Sequence, residues 1–93
     1  MYSVNYSENA IRDLKKLDLP IARRIAEKIL FFSEQENPLA FAKPLRNLGA
    51  GRYRFRIGDY RAIFQNDSKR KLKILLILRI KHRKDIYVGT FEI

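Results

Sequence analysis

The feature of the sequence that most constrains its fold is a run of strict alternation that doubles back on itself. Over residues 52–57 arginine alternates with tyrosine, phenylalanine and isoleucine, and a second run of strand-forming residues spans 60–65. Gly58 and Asp59 separate the two runs, and Gly followed by Asp is a favoured two-residue hairpin turn. The pattern therefore predicts an antiparallel β-hairpin.

The register of this hairpin follows from the length of its turn. One face receives the apolar and aromatic pairs Ile57–Tyr60, Phe55–Ala62 and Tyr53–Phe64. The other face receives the pairs that contain arginine, which are Arg56–Arg61, Arg54–Ile63 and Arg52–Gln65. A shift by one residue would expose the apolar set, so the register is strongly specified. Arg56 opposite Arg61 is an unfavourable like-charge pair, which folding alone would not select and which a bound anion would relieve.

The segments before the hairpin predict one strand and two helices. Residues 2–6 alternate in hydropathy, which is typical of a short half-buried strand. Residues 10–17 have apolar side chains at helical spacing, and residues 21–30 have a longer stripe whose helix should end before Asn37 and Pro38. Residues 38–51 contain two prolines and two glycines without a period, so we expect a connection there.

The segments after the hairpin complete a sheet. Residues 72–80 are apolar on both faces at their centre, which suits an interior strand, and residues 88–93 form either a last edge strand or a loose tail. The order predicts one α+β domain over residues 1–93. It consists of an N-terminal strand, a two-helix hairpin and an antiparallel sheet of three to four strands, with the helices on one face.

The net positive charge of the chain is confined to its second half. Twenty lysines and arginines against ten acidic residues give a net charge of +10. Residues 1–42 contain six basic and six acidic side chains, whereas residues 43–93 contain fourteen basic and four acidic ones. This segregation favours a polyanionic partner bound by one part of the fold over a charge that serves only solubility.

The composition and motifs exclude several classes of site. The absence of cysteine and the single histidine exclude thiolate and multi-histidine metal sites. We find no phosphate-binding GK[ST] loop, no nucleophile motif and no carboxylate pair suited to glycoside hydrolysis. The longest apolar run is residues 74–78, and the N-terminus lacks the pattern of a signal peptide. We therefore expect a cytoplasmic protein without metal or cofactor.

Strand alternation would collect six basic side chains on the sheet face away from the helices. These predicted RNA-binding residues are Arg52, Arg54, Arg56, Arg61, Arg79 and Lys81. The planar guanidinium suits phosphate because it donates two parallel hydrogen bonds. Such a surface can bind RNA and cleave it without metal, since a 2′-hydroxyl attacks the adjacent phosphate while cations stabilise the added charge.

Two segments together resemble the RelE/ParE superfamily of toxins from toxin–antitoxin pairs. They are residues 43–64, KPLRNLGAGRYRFRIGDYRAIF, and residues 80–87, IKHRKDIY, and the resemblance covers nearly the whole chain. It implies a compact sheet with two N-terminal helices. For a RelE-type member it also implies cleavage of mRNA in the ribosomal A site. The implied partners are the ribosome with its rRNA, the mRNA and an acidic cognate antitoxin, with no membrane and no small-molecule cofactor.

The same resemblance implies catalytic roles for residues of the basic face. The family's two basic positions on the first hairpin strand fall on Arg54 and Arg56, and its arginine at the scissile phosphate falls on Arg61. The basic position that ends the last core strand falls on Lys81 or Arg83, depending on where a gap is placed. The C-terminal tyrosine that stacks on a base near the cut falls on Tyr87.

The general base is left open by these assignments. RelE-type sites often have lysines where this chain has Arg54 and Arg56, and arginine is a poor general base because it keeps its proton. Imidazole is well suited to proton transfer near neutral pH, which makes His82 a further catalytic candidate. Strand parity also allows a structural role, because it places His82 with Ile80 on the side that faces the helices.

Two other functions are compatible with the same sequence. One is a ParE-like toxin that inhibits DNA gyrase and needs no nuclease site, and the other is an RNA-binding module without catalysis. Arg61 together with a C-terminal tyrosine favours the mRNA endonuclease.

Overall fold

The sheet contains every strand that the structure describes. The computed structural model describes residues 1–45 and 51–85, with strands β1 (Ser3–Tyr6), β2 (Ala42–Pro44), β3 (Arg52–Ile57), β4 (Tyr60–Asn66) and β5 (Ile74–His82), helices α1 (Glu8–Lys15) and α2 (Leu19–Ser33), and a 3₁₀ turn at Pro38–Phe41. The strand order is β1-β5-β4-β3-β2. β1 runs parallel to β5, and the other neighbours are antiparallel. The predicted α+β class is confirmed.

The alternating segment forms the predicted hairpin between β3 and β4. All six cross-strand pairs expected from the two-residue turn are present, including Arg56 opposite Arg61. Gly58 has a φ angle of +59°. A type II′ turn requires positive φ at this first central position, where glycine is the residue that adopts it without strain.

The residues at the helix starts favour the observed helix boundaries, and one of them ties α1 to the sheet. The Ser7 hydroxyl oxygen accepts a hydrogen bond from the Ala10 N–H at 3.1 Å and donates one to the Leu78 carbonyl at 2.8 Å. The first bond caps α1 and the second ties its start to β5. Asp18 precedes α2, and Pro20 lies in its first turn, where a missing N–H costs little.

The core lies between α2 and the sheet. Ile25 and Ile29 are fully buried, and Phe32 stacks on Phe55 with a ring-centroid distance of 4.6 Å. Phe55 in turn stacks on Phe64 at 4.2 Å. Burial of side chains of this size contributes about 1.5–3 kcal/mol each, so this side of the sheet accounts for much of the folding free energy.

The structure has two features that the sequence analysis did not predict. Residues 38–51, expected to be a connection, contain the 3₁₀ turn and the short strand β2, which pairs with β3. The pairing of β4 with β5 also shifts, because Ile63 lies opposite Arg79 whereas the next residue, Phe64, lies opposite Ile77. Leu78 is thus an extra residue on β5, as in a β-bulge.

Two remaining expectations concern the C-terminal segment and membrane-spanning helices. Residues 88–93, predicted as an edge strand or a tail, lie outside the described residues. Neither of the helices in residues 1–45 and 51–85 is long and apolar enough to cross a bilayer.

Candidate functional site

Three basic residues lie side by side across the centre of the sheet. Arg56 on β3 is opposite Arg61 on β4, and Arg61 is opposite Lys81 on β5. We call these three residues the cationic row. Their neighbours Phe55, Ala62 and Ile80 are buried in the core. Since successive side chains of a strand point to opposite faces, the cationic row lies on the face away from the helices.

The cationic row places like charges directly opposite one another. Adjacent strands are only about 4.8 Å apart, and like charges directly opposite one another destabilise a sheet. Lys81 also acts on the carboxylate of Asp13, whose pKa its charge lowers. An anion bound at the row would lessen the repulsion between Arg56 and Arg61.

A groove continues the basic surface toward the edge strand β2. Lys43 lies opposite Arg54, and both line this groove together with Arg56 and Arg61. Residues 40–42 form the rest of the lining, and the volume is about 360 Å³. We call this the basic groove. The basic groove joins cations of three strands in a concave surface. The sequence analysis did not predict that Lys43 is one of them.

Arg61 is the most constrained cation of the site. It is only 7% exposed, and its Nη1 donates hydrogen bonds to the carbonyl oxygens of Gly58 at 2.8 Å and Tyr60 at 2.9 Å. These bonds hold the guanidinium against the β3–β4 turn, whereas Arg56 beside it is exposed. A side chain held in this way loses little conformational freedom when it binds an anion.

Arg79 is held away from the cationic row by a carboxylate of α1. Its Nε lies 2.8 Å from Asp13 Oδ2, its Nη2 donates to Oδ1 at 3.1 Å, and the Ile80 N–H donates to Oδ2 at 2.9 Å. Burial alone would raise the pKa of Asp13. The hydrogen bonds from Arg79 and Ile80 and the charges of Arg79 and Lys81 outweigh burial, so the pKa lies below its ordinary value. The Asp13–Arg79 pair fixes α1 to β5.

His82 lies on the side of the sheet that faces the helices. It is opposite Tyr60, and the two rings meet edge to face with centroids 5.3 Å apart. Its Nδ1 accepts a hydrogen bond from the Lys84 N–H at 3.2 Å. The structure thus separates the imidazole from the cationic row, because His82 and Lys81 are consecutive in one strand.

Two further predicted residues, Arg83 and Arg52, lie at the margins of the basic surface. Arg83 follows the end of β5, where its Nε is 3.6 Å from Asp59 Oδ1 and its N–H donates to the Asp59 carbonyl at 2.7 Å. Of the two residues that the resemblance offered for one position, Lys81 is therefore the one in the cationic row. Arg52 is at the start of β3, opposite Gln65, and Tyr87 lies outside the described residues.

The chain is similar to known proteins over most of its length. A family model described as "ParE toxin of type II toxin-antitoxin system, parDE" matches residues 4–87. Toxin RelG of Mycobacterium tuberculosis is 37% identical over 86 residues, which is 92% of this chain and 95% of the relative.

Solved structures of toxin–antitoxin complexes show the same fold. The toxin–antitoxin complex RelBE2 from Mycobacterium tuberculosis contains a chain with 34% identity and a TM-score of 0.71, covering 88% of this chain and 91% of that one. A chain of the archaeal RelE–RelB complex from Pyrococcus horikoshii has 28% identity and a TM-score of 0.64, covering 88% of this chain and 94% of that one.

Proposed function

The chain belongs to the ParE toxin family of type II toxin–antitoxin systems, within the RelE/ParE superfamily, and we propose that it is a ribosome-dependent endonuclease that cuts mRNA in the A site. The observation that carries this proposal is the cationic row of Arg56, Arg61 and Lys81. The phosphates of an RNA strand would relieve such a row, and mRNA in the A site is single-stranded and accessible to a small domain.

The proposed reaction needs the RNA, the cations and water as the acceptor of one proton. The 2′-oxygen attacks the neighbouring phosphorus and the bond from phosphorus to the 5′-oxygen breaks, which leaves a 2′,3′-cyclic phosphate and a 5′-hydroxyl. The proton of the 2′-hydroxyl passes to water, and the ammonium of Lys81 gives a proton to the 5′-oxygen and is then reprotonated from solvent. In the transition state the added negative charge lies on the phosphate oxygens, where Arg56 and Arg61 donate hydrogen bonds.

Proton transfer in this proposal involves Lys81 rather than His82. Arginine keeps its proton, whereas an ammonium is able to give one to the leaving 5′-oxygen. His82 packs against Tyr60 on the opposite side of the strand. The variant Lys81→Arg retains the charge of the row, so we expect it to bind RNA normally and to cleave about 10²-fold more slowly.

A cognate antitoxin of acidic character is the proposed partner that silences the toxin. The structural relatives are toxins in complexes with RelB antitoxins. A net charge of +10 favours association with an acidic chain.

The proposal is tested with purified protein and ribosomes programmed with an mRNA of known A-site codon. Primer extension should map new 3′ ends within that codon for the wild type and for the surface control Arg23→Ala, but not for Arg61→Ala. A DNA gyrase supercoiling assay is run in parallel. Inhibited supercoiling with intact mRNA would replace the proposal by the ParE-like activity, and RNA binding without any cut would replace it by a binding module.

A further inference from the structure

One aromatic side chain lines the basic groove and is only partly used by the core. Phe41, the last residue of the 3₁₀ turn, is 50% exposed. Its ring stacks on Phe32 with a centroid distance of 5.4 Å and an angle of 28° between the planes. The ring is therefore packed against Phe32 and also borders the groove that is lined by Arg54, Arg56 and Arg61.

The position of β2 explains why this ring lies beside the cations. β2 begins at Ala42, opposite Phe55, and does not continue alongside Arg56. The chain instead turns through the 3₁₀ segment, which places Phe41 next to the part of β3 where Arg56 starts the cationic row. The contact with Phe32 holds the ring in place, and Phe41 lines the basic groove with Arg54, Arg56 and Arg61.

The combination matches the needs of a single-stranded nucleic acid. Proteins that bind such strands pair a positively charged groove for the backbone with aromatic rings on which unpaired bases stack. The groove volume of about 360 Å³ lies at the lower end of the range for small-ligand pockets, which suits one nucleotide better than a peptide helix.

We propose that Phe41 is a stacking platform for one unpaired base of the RNA, next to the phosphate bound by Arg56 and Arg61. This inference rests on the proposed function, since it requires RNA on the cationic row. Phe41 contributes to binding and to placing the strand, and it takes no part in proton transfer. Because every base has a π-face, the platform is tolerant of sequence.

The test is a double-mutant cycle between the ring and the base. Fluorescence anisotropy measures the affinity of 2′-O-methyl hexaribonucleotides, which lack the attacking hydroxyl, with an abasic unit at each position in turn. The proteins are the wild type, Phe41→Ala, Phe41→Trp and Phe31→Ala. Phe31 is a matched control, because it is 47% exposed and also touches Phe32, with ring centroids 6.0 Å apart.

We expect one abasic position to weaken wild-type binding about tenfold and to have no effect on Phe41→Ala. Phe41→Trp and Phe31→Ala should behave as the wild type does. Phe41→Ala should keep the wild-type dependence on salt, since it removes no charge. Thermal unfolding confirms that each variant is folded.

Three results would overturn the inference. Equal losses of affinity for intact and abasic strands would mean that the ring only shapes the groove. A second result is that Phe41→Ala binds RNA as the wild type does, with the same salt dependence, but no longer co-purifies with a co-expressed antitoxin. This result would assign the ring to a protein interface and leave the proposed function intact. Absence of salt-dependent binding in the wild type would overturn the platform, whereas the proposed function is refuted separately by the absence of A-site cleavage on programmed ribosomes.

Discussion

Two neighbouring rows of the same three strands have opposite chemistry. Phe55, Ala62 and Ile80 lie side by side in the core and are at most 4% exposed. The cationic row is the adjacent row of the same strands. Arg56 and Lys81 follow Phe55 and Ile80 in sequence, and Arg61 precedes Ala62. Both rows belong to the same ladder and the same register, and they differ in the face to which their side chains point and in the chemistry of those side chains.

The comparison shows that the two faces of one sheet carry different chemistry. The apolar row is explained by its burial against α2 and the aromatic stack. The cationic row opposes folding through like-charge contacts, which a bound anion would lessen. Substitutions in the first row should therefore change unfolding, and substitutions in the second should change the handling of RNA.

The largest expected effect is on the apolar row. Phe55→Ala removes a ring stacked between Phe32 and Phe64 and leaves a cavity. We expect a loss of about 3–5 kcal/mol in the free energy of unfolding, measured by urea denaturation. A loss below about 1 kcal/mol would show that the stack is not the stabilising centre of the fold.

The next effect concerns the constrained cation of the second row. Arg61→Ala should lower A-site cleavage by about 10²-fold or more, as loss of one donor to a developing oxyanion does. The two hydrogen bonds to the β3–β4 turn are lost as well, so unfolding is measured beside cleavage. Cleavage within threefold of the wild type in a folded variant would refute the role of Arg61.

A moderate and pH-dependent effect is expected for the pair that fixes α1 to β5. Asp13→Asn weakens the charged hydrogen bonds to Arg79 and Ile80, which we expect to cost about 1.5–3 kcal/mol at neutral pH. Because folding lowers the pKa of Asp13, its contribution is present above the unfolded value near 4 and is lost as pH falls through the folded value.

The measurement for this pair is urea unfolding of the wild type and Asp13→Asn between pH 7 and pH 2. Their difference in stability should shrink below about pH 4. A difference that stays constant down to pH 2 would show that the ionised carboxylate is not what stabilises this contact.

The smallest effect on stability should have the opposite sign. Arg56→Gln removes one member of the like-charge pair with Arg61. We expect the free energy of unfolding to rise by about 0.2–1 kcal/mol, whereas the control Arg23→Gln on α2 should not change it in this way. Destabilisation by Arg56→Gln, with the control unchanged, would mean that folding itself uses this arginine.

The hairpin and its cation pair were predictable because local rules determine them. A two-residue turn with glycine fixes the register, and alternation then assigns each side chain to a face. Strand β2 and Lys43 were missed because a three-residue strand containing Pro44 has no period. Lys43 becomes visible as part of the site only when its pairing with Arg54 is known.

The positions of Arg79 and His82 depend on contacts that are distant in sequence. Parity grouped Arg79 with the RNA-binding residues, but Asp13, which binds its guanidinium, is 66 residues earlier in the chain. Parity also allowed His82 to face the helices, and its contact with Tyr60 follows from the pairing of β4 with β5. The catalytic roles predicted for Tyr87, Arg54 and the other basic residues stay predictions.

The central claim is that the cationic row binds RNA phosphates, and the salt dependence of binding tests it most directly. The slope of log affinity against log salt concentration is measured for a 2′-O-methyl hexaribonucleotide with the wild type, Arg56→Gln and Arg23→Gln. We expect a wild-type slope near −2 for three cations, a slope shallower by about 0.7 for Arg56→Gln, and no change for Arg23→Gln. The same slope for all three proteins would contradict the central claim.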